Sequence, residues 1–226
     1  MEELTLDERN ASIRRRMLNL EKVHIMPMPP DSLYIRPLRM NYTQDSREKY
    51  WDLMKVHDSV CIIIFNITQK KLVFVKQFRP PCYFASIPEK FGDIDVKKYP
   101  ADLGVAMELC AGMVDKNKTI VEIAREEVIE ECGYDAPISL FEKVNCYRSG
   151  VGSASSMQTL FYVEVTDDMR THSGGGGADS EGELIEVIEM NIQEVNDYLH
   201  SGNVQSPPSL LYGVTWFLAS KQNRYQ

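Results

Sequence analysis

GMVDKNKTIVEIAREEVIEECGY, residues 112–134, is the stretch on which the reading of the whole chain turns. Thr119 and Glu122 form a T-x-x-E capping box, and Gly133 stands where a left-handed cap closes a helix. The spacing predicts a helix over Ile120–Cys132. At about 100° per residue, Glu127, Glu130 and Glu131 share one arc of that helix, flanked by the apolar arc of Val121, Ala124, Val128 and Cys132. Like charges at i,i+3 and i,i+4 each destabilise a helix by a few tenths of a kcal/mol, and no lysine on the arc offsets them. A hard cation relieves such crowding, because Mg²⁺ takes oxygen ligands and shares one or two carboxylates with substrate phosphates. A merely acidic, solvated helix face is the plainer reading of the same residues.

Outward from that helix, 226 residues with 43% apolar and 26% charged content describe an ordinary globular protein, long enough for one sizeable core and a small appended subdomain. The net charge of −8 argues against non-specific nucleic-acid binding. The longest apolar run, residues 60–65, is far too short to span a bilayer. Glu2, Glu3, Asp7 and Glu8 suit neither a signal peptide nor an organelle transit peptide, so a cytoplasmic protein is expected. Five cysteines (Cys61, Cys82, Cys110, Cys132, Cys146) form no C-x-x-C pair, and their odd number leaves any disulfide set incomplete. Four histidines show no metal spacing or triad pattern, which leaves a serine-type hydrolase without support. Rossmann and Walker glycine patterns are both absent.

In chain order, residues 1–31 are expected to form a short helix or mobile arm ending in a linker with Pro27, Pro29 and Pro30. Residues 32–56 read as two strands about a polar turn, too small to bury a core alone. Two apolar strands over residues 60–79 belong in a buried central sheet. The second ends at Arg79, whose guanidinium suits bidentate phosphate binding, a structural ion pair being the alternative. Residues 83–102 are polar, with Pro88 and Pro100, and read as a surface insertion. Residues 105–113 form the strand that leads into the glutamate segment, with Glu108 either in the site or structural. Further strands are expected over 140–146, 158–165 and 184–190, and helices over 191–199 and 209–220. The loop Tyr147-Arg148-Ser149-Gly150-Val151-Gly152-Ser153 is rich in small residues, so its N–H groups can approach a phosphate or sugar; simple turn chemistry explains the same glycines. Residues 171–183, with four successive glycines, are the most flexible-looking segment.

Residues 112–134 resemble the Nudix box, G-x5-E-x7-R-E-U-x-E-E-x-G-U with U aliphatic or aromatic, the metal-binding signature of enzymes that hydrolyse nucleoside diphosphates linked to another moiety. Gly112, Glu127, Val128, Glu130, Glu131, Gly133 and Tyr134 match it. Lys118 replaces the box's first Glu and Glu126 replaces its Arg. In the family those two side chains pair and steady the metal-binding glutamates. The resemblance therefore implies either a pair with its charges reversed, Lys118 to Glu126, or an orienting role passed to Arg125.

The resemblance runs from about residue 34 to residue 218, and VKQFRP, ELCAGMVD, EECGY, YRSGVG and EGELIEV together look most like the UDP-sugar pyrophosphatases of the ADP-ribose and nucleotide-sugar subgroup. It implies an α/β fold, the Nudix α/β/α sandwich with a mixed sheet, and a small N-terminal antiparallel sheet that packs across a homodimer. The chain divides accordingly into an arm and linker (1–31), that sheet (32–56) and the hydrolase domain (57–226). Mg²⁺, with Mn²⁺ as a substitute, is implied on Glu127, Glu130, Glu131 and the Ala111 carbonyl, with Glu130 also catalytic. Glu183 is the first choice for the base that activates water, then Glu181 and Glu186, on a mobile loop able to close after substrate arrives. Arg79, Arg148 and Gly150 are the implied substrate contacts. The implied reaction is UDP-glucose to UMP and glucose 1-phosphate, with ADP-ribose hydrolysis or non-hydrolytic nucleotide binding as alternatives. The partner is a small nucleotide sugar; no nucleic acid and no membrane are expected.

Overall fold

A computed structural model describes residues 5–225 of the chain, except 33, 89, 90, 173, 179 and 181. Helix α1 (Leu6–Met17) starts at a Thr5/Glu8 capping box and is docked along its length. Ile13 and Met17 are buried, and the Asn10 amide exchanges two hydrogen bonds with the backbone of Val187, at 2.7 and 3.1 Å. Arg14 forks onto the buried Glu186 carboxylate. The arm is thus a helix fixed to the body.

Strands β2 (Arg36–Gln44) and β3 (Arg47–Lys55) form a separate hairpin, closed by Asp45 and Ser46 with φ of 53° and 58°. Two consecutive left-handed residues give the primed turn whose twist matches the strands. Leu38, Met40, Tyr50 and Trp51 remain exposed on it. Among the described residues, two hydrogen bonds tie it to the body: Trp51 Nε1 donates to Gly152 O at 2.9 Å, and Met54 N to Ser153 O at 2.8 Å.

The main sheet explains the apolar runs. It comprises β4 (Ser59–Asn66), β5 (Lys71–Phe78), β7 (Val105–Glu108), β8 (Cys110–Met113), β9 (Glu142–Ser149), β10 (Ser156–Val165) and β11 (Glu186–Asn191). Its order is β11-β5-β4-β10-β9, with β7 against β5 and β8 against β4. β4 and β10 are parallel and the other pairs antiparallel, so the sheet is mixed. Leu109 breaks the single strand expected over 105–113, and the chain there changes partner from β5 to β4.

Alternate residues of β4 point to opposite faces. Val60, Ile62 and Ile64 pack with Ile123, Ala124 and Val128 of α3 (Ile120–Cys132), whereas Cys61, Ile63 and Phe65 pack with Leu210, Val214 and Phe217 of α5 (Pro208–Ser220). A strand covered on both faces has no polar side, hence its unbroken apolar sequence. At roughly 1.5–3 kcal/mol for each large side chain fully buried, these two clusters dominate the stability. The result is an α/β/α sandwich, as the sequence implies. α4 (Ile192–Leu199) adds Val195 to the α5 side.

Residues 83–102 hold more structure than a surface insertion. After α2 (Pro80–Ser86), β6 (Gly92–Ile94) pairs with β1 (Val23–Ile25), and Tyr83, Ile87 and Ile94 form a third small core with Leu20, Val23 and Ile25. Those apolar residues follow neither helical nor strand spacing, so the prolines dominate a reading by pattern. Among the described residues no helix is long and apolar enough to cross a membrane, and all five cysteines are free.

Candidate active site

Helix α3 is set by local chemistry at both ends. Thr119 N donates to Glu122 Oε2 at 2.8 Å, Glu122 N donates back to Thr119 Oγ1 at 3.4 Å, and Gly133 ends the helix at φ 72°. Between those caps the helix delivers its three acids to different depths. Glu131 is buried, and its Oε2 accepts the Ala111 N–H at 3.0 Å. Glu127 lies so close over Gly112 that a Cβ there would overlap its carboxyl group and push it aside. Glu130 is exposed.

Burial, and then the neighbouring Glu130 charge, pushes the Glu127 carboxyl up to about 7. Burial also raises Glu131, to about 8, against the Ala111 N–H bond and with the Glu127 charge adding to it. Burial works against Lys116, but Glu130, Glu127 and Glu126 hold its ammonium above its ordinary range. These acids line one cavity of about 380 Å³ with Ala111, Arg79, Glu108 and Glu183. The donor set is all oxygen, which fits a hard divalent cation. Among the described residues, no group of three acidic, histidine or cysteine side chains is already gathered as a metal cage; a Mg²⁺ site completed by waters and substrate phosphates does not require one.

The segment that brings Glu183 to this cavity is not a loose tether. Gly176 N donates to Glu131 O and Gly177 N to Glu130 O, both at 3.0 Å. The last carbonyls of α3, which a helix end leaves without partners, are thereby satisfied by a strap from residues 174–177. All four glycines have positive φ, from 64° to 112°. A Cβ on Gly175 would stand 2.5 Å from Glu131 O and 2.7 Å from Cys132 C, so backbone contact as well as φ demands glycine here. Arg9 of α1 lies against Gly174. Beyond the strap, Ala178 N donates to Glu183 Oε2 at 2.9 Å, fixing the carboxylate toward the cavity. For residues 174–177 the flexible look is corrected: Gly176 and Gly177 are tied to α3 and Gly175 packs against its backbone.

Lys118 pairs with Glu126, and Lys116 approaches the second Glu126 oxygen at 3.6 Å. The charge-reversed pair is present. Arg125 turns away, pairing with Asp135 and donating to Ala136 O at 3.2 Å. Arg79 lines the cavity with its guanidinium forked onto Glu108, at 2.6 and 2.8 Å, so the ion-pair alternative describes its present partner.

Arg148 and Gly150 are not brought into this cavity. Arg148 Nη1 donates to Ser155 O at 3.0 Å, and Gly150 O accepts the N–H groups of Ser153, Ala154 and Ser155 in a closed turn that leans on the hairpin. Glu186 is engaged with Arg14, and Glu181 lies outside the described residues.

Ser59, Gln77, Asp115, Lys116 and Gln158 also line the cavity and were not singled out by motif. Gln158 reaches Ser59 because β4 and β10 are parallel, with these two residues in register. For Ser59, Gln77 and Gln158, a polar residue near the end of an apolar strand is the available signal.

No protein-family model matches the chain. It is 40% identical over 200 residues to uridine diphosphate glucose pyrophosphatase NUDT14 of Mus musculus, covering 83% of this chain and 90% of that protein. The Bos taurus protein of the same name is 39% identical over the same span. The GDP-mannose pyrophosphatase of Cronobacter sakazakii is 26% identical over 197 residues, 86% of this chain and 93% of its own.

Proposed function

From the premise that this chain belongs to the Nudix hydrolase family, we propose that it hydrolyses the diphosphate of a nucleotide sugar, UDP-glucose to UMP and glucose 1-phosphate. The observation that supports this most is the meeting of Glu127, Glu130, Glu131 and Glu183 in one cavity, where Arg79 and Lys116 are the only basic side chains among the described lining residues. The relatives named for UDP-glucose favour that substrate.

Divalent metal dependence comes with the family, and Mg²⁺, with Mn²⁺ as a substitute, is the ion assigned here. When bound, the cation neutralises the diphosphate and polarises the reacting oxygen. Glu127, Glu130, Glu131 and the Ala111 carbonyl are the residues assigned to hold it. Glu183 accepts the proton of the attacking water, a task suited to a carboxylate whose main chain is fixed beside the metal-binding helix. Arg79, oriented by Glu108, presents positive charge to the phosphates. Arg148, on strand β9 beside β10, and Gly150, in the loop after it, stay in this proposal as substrate contacts that would have to reach the cavity from outside it. The exposed apolar side chains of the β2–β3 hairpin are assigned to a homodimer, and five free cysteines go with a reducing cytoplasm.

The test is mass spectrometry of products from UDP-glucose, ADP-ribose and GDP-mannose with Mg²⁺ in ¹⁸O-water. The proposal expects UMP and glucose 1-phosphate, one of them carrying a single ¹⁸O, with UDP-glucose consumed fastest. Faster loss of ADP-ribose or GDP-mannose moves the substrate. Ligand-induced stabilisation without any product leaves a non-hydrolytic nucleotide-binding module.

A further inference from the structure

A chain of hydrogen bonds, donating in one direction, reaches the cavity wall at Gln158 and Ser59. Tyr147 stands edge-on to Tyr212, with ring centres 5.3 Å apart and planes at 88°, and Asn145 Nδ2 donates to Tyr212 OH at 2.8 Å. The Tyr147 hydroxyl donates to Gln158 Oε1 at 2.8 Å, and Gln158 Nε2 donates to Ser59 Oγ at 3.1 Å. Cys61 Sγ lies 3.7 Å from the same tyrosine oxygen. Burial holds the Cys61 thiol up at about 11 and raises the Tyr147 hydroxyl as well, so both keep their hydrogens at neutral pH.

A serine hydroxyl carries one donor and two acceptor positions. Gln158 presents its amide N–H to Ser59, with its oxygen turned to Tyr147, so it occupies an acceptor position of Ser59 and leaves the serine's own hydrogen to another partner. Among the described residues Ser59 Oγ donates to no acceptor. Ser59 lines the cavity, half-buried, and its hydrogen has the cavity to point into. We propose that Ser59 is a substrate contact, donating its hydroxyl hydrogen to an acceptor oxygen of the nucleotide sugar, and that Gln158 and Tyr147 are positioning residues that fix its direction. This rests on the nucleotide-sugar reading above and deepens it. A donor of fixed direction selects ligands that place an oxygen opposite it, and rejects those that do not, more strongly than an apolar wall can.

The test is calorimetric titration of UDP-glucose, UMP and glucose 1-phosphate into the full chain, for wild type, Ser59→Ala, Ser59→Thr, Gln158→Glu, Tyr147→Phe and the Ser59→Ala/Gln158→Glu double variant. Steady-state kinetics on UDP-glucose accompany it. Loss of one neutral hydrogen bond predicts about three- to tenfold weaker UDP-glucose binding for Ser59→Ala. Gln158→Glu produces a similar loss, because a carboxylate offers Ser59 an acceptor and draws its hydrogen away from the cavity. The double variant is no weaker than either single, KM rises more than kcat falls, and Ser59→Thr keeps wild-type affinity. A loss confined to UMP places the acceptor in the nucleotide half, and one confined to glucose 1-phosphate places it in the sugar half. Unchanged affinity in Ser59→Ala, additive losses in the double variant, or no rescue by threonine overturns the proposal. Binding is read apart from turnover, so a wild type that binds UDP-glucose without cleaving it defeats the hydrolase reading while this one still stands or falls on the dissociation constants.

Discussion

Two segments bracket helix α3, and they are built from opposite materials. Residues 112–119, which lead into it, add side-chain ties to the pairing of β8 with β4: Lys118 and Lys116 on Glu126, Thr119 on Glu122. Residues 174–177 close over its end through main-chain N–H groups, Gly176 on the Glu131 carbonyl and Gly177 on the Glu130 carbonyl. Charge at the first segment is a matter of complementarity, and the pair is present here with its signs reversed. Glycine at the second is a matter of space and φ, and no other residue serves. That contrast explains how the box can lose its usual Glu and Arg while the glutamates they steady keep their places.

The largest expected effect removes the group that both segments serve to hold. Glu130→Gln is expected to lower kcat by at least about a hundredfold with a smaller change in UDP-glucose affinity; turnover near wild type would dissociate the acidic arc from catalysis. Next comes the strap. Gly175→Ala places a methyl group against the α3 backbone at a φ of 79°, a combination expected to cost about 2 kcal/mol or more. Both Tm and kcat should fall together, since the same loop carries Glu183. A variant as stable and active as wild type would show the strap to be loose after all. The smallest effect belongs to the charged segment. Lys118→Glu and Glu126→Lys alone should each destabilise by no more than about 1 kcal/mol, as half-exposed pairs do, and the double exchange should regain what either single change loses. Equal defects in single and double variants would remove the pair from the account.

Much of this contrast is legible in residues 112–134, because caps and i,i+4 spacing are local properties. The helix Ile120–Cys132, its three acids and its glycine cap all stand where spacing puts them. The sandwich is legible as well, since unbroken apolar runs such as residues 60–65 require cover on both faces. Four consecutive glycines are a different matter. Composition treats them as a flexible tether, and only the three-dimensional path reveals that all four stand at a positive φ and that Gly175 lies against the α3 backbone. Arg79 shows the same limit in charge: a guanidinium at a strand end suits a phosphate, yet Glu108 on a different strand already faces it. Ser59 and Gln158 meet across 99 residues through a parallel pairing that no local pattern encodes.

The central claim is that a divalent cation is what allows these acids to be ionised side by side. Glu127 and Glu131 titrate near 7 and 8 in the folded chain against an ordinary 4.5, so the folded state holds protons more tightly than the unfolded chain. The stability this contributes is full below about pH 4.5 and is lost as pH rises through 7 and 8. The direct measurement is Tm from pH 5.5 to 8.5, without metal and with millimolar Mg²⁺. The account predicts a Tm that falls with rising pH in the metal-free protein, and a Mg²⁺-dependent gain that grows over the same range. Identical curves with and without Mg²⁺ would contradict it.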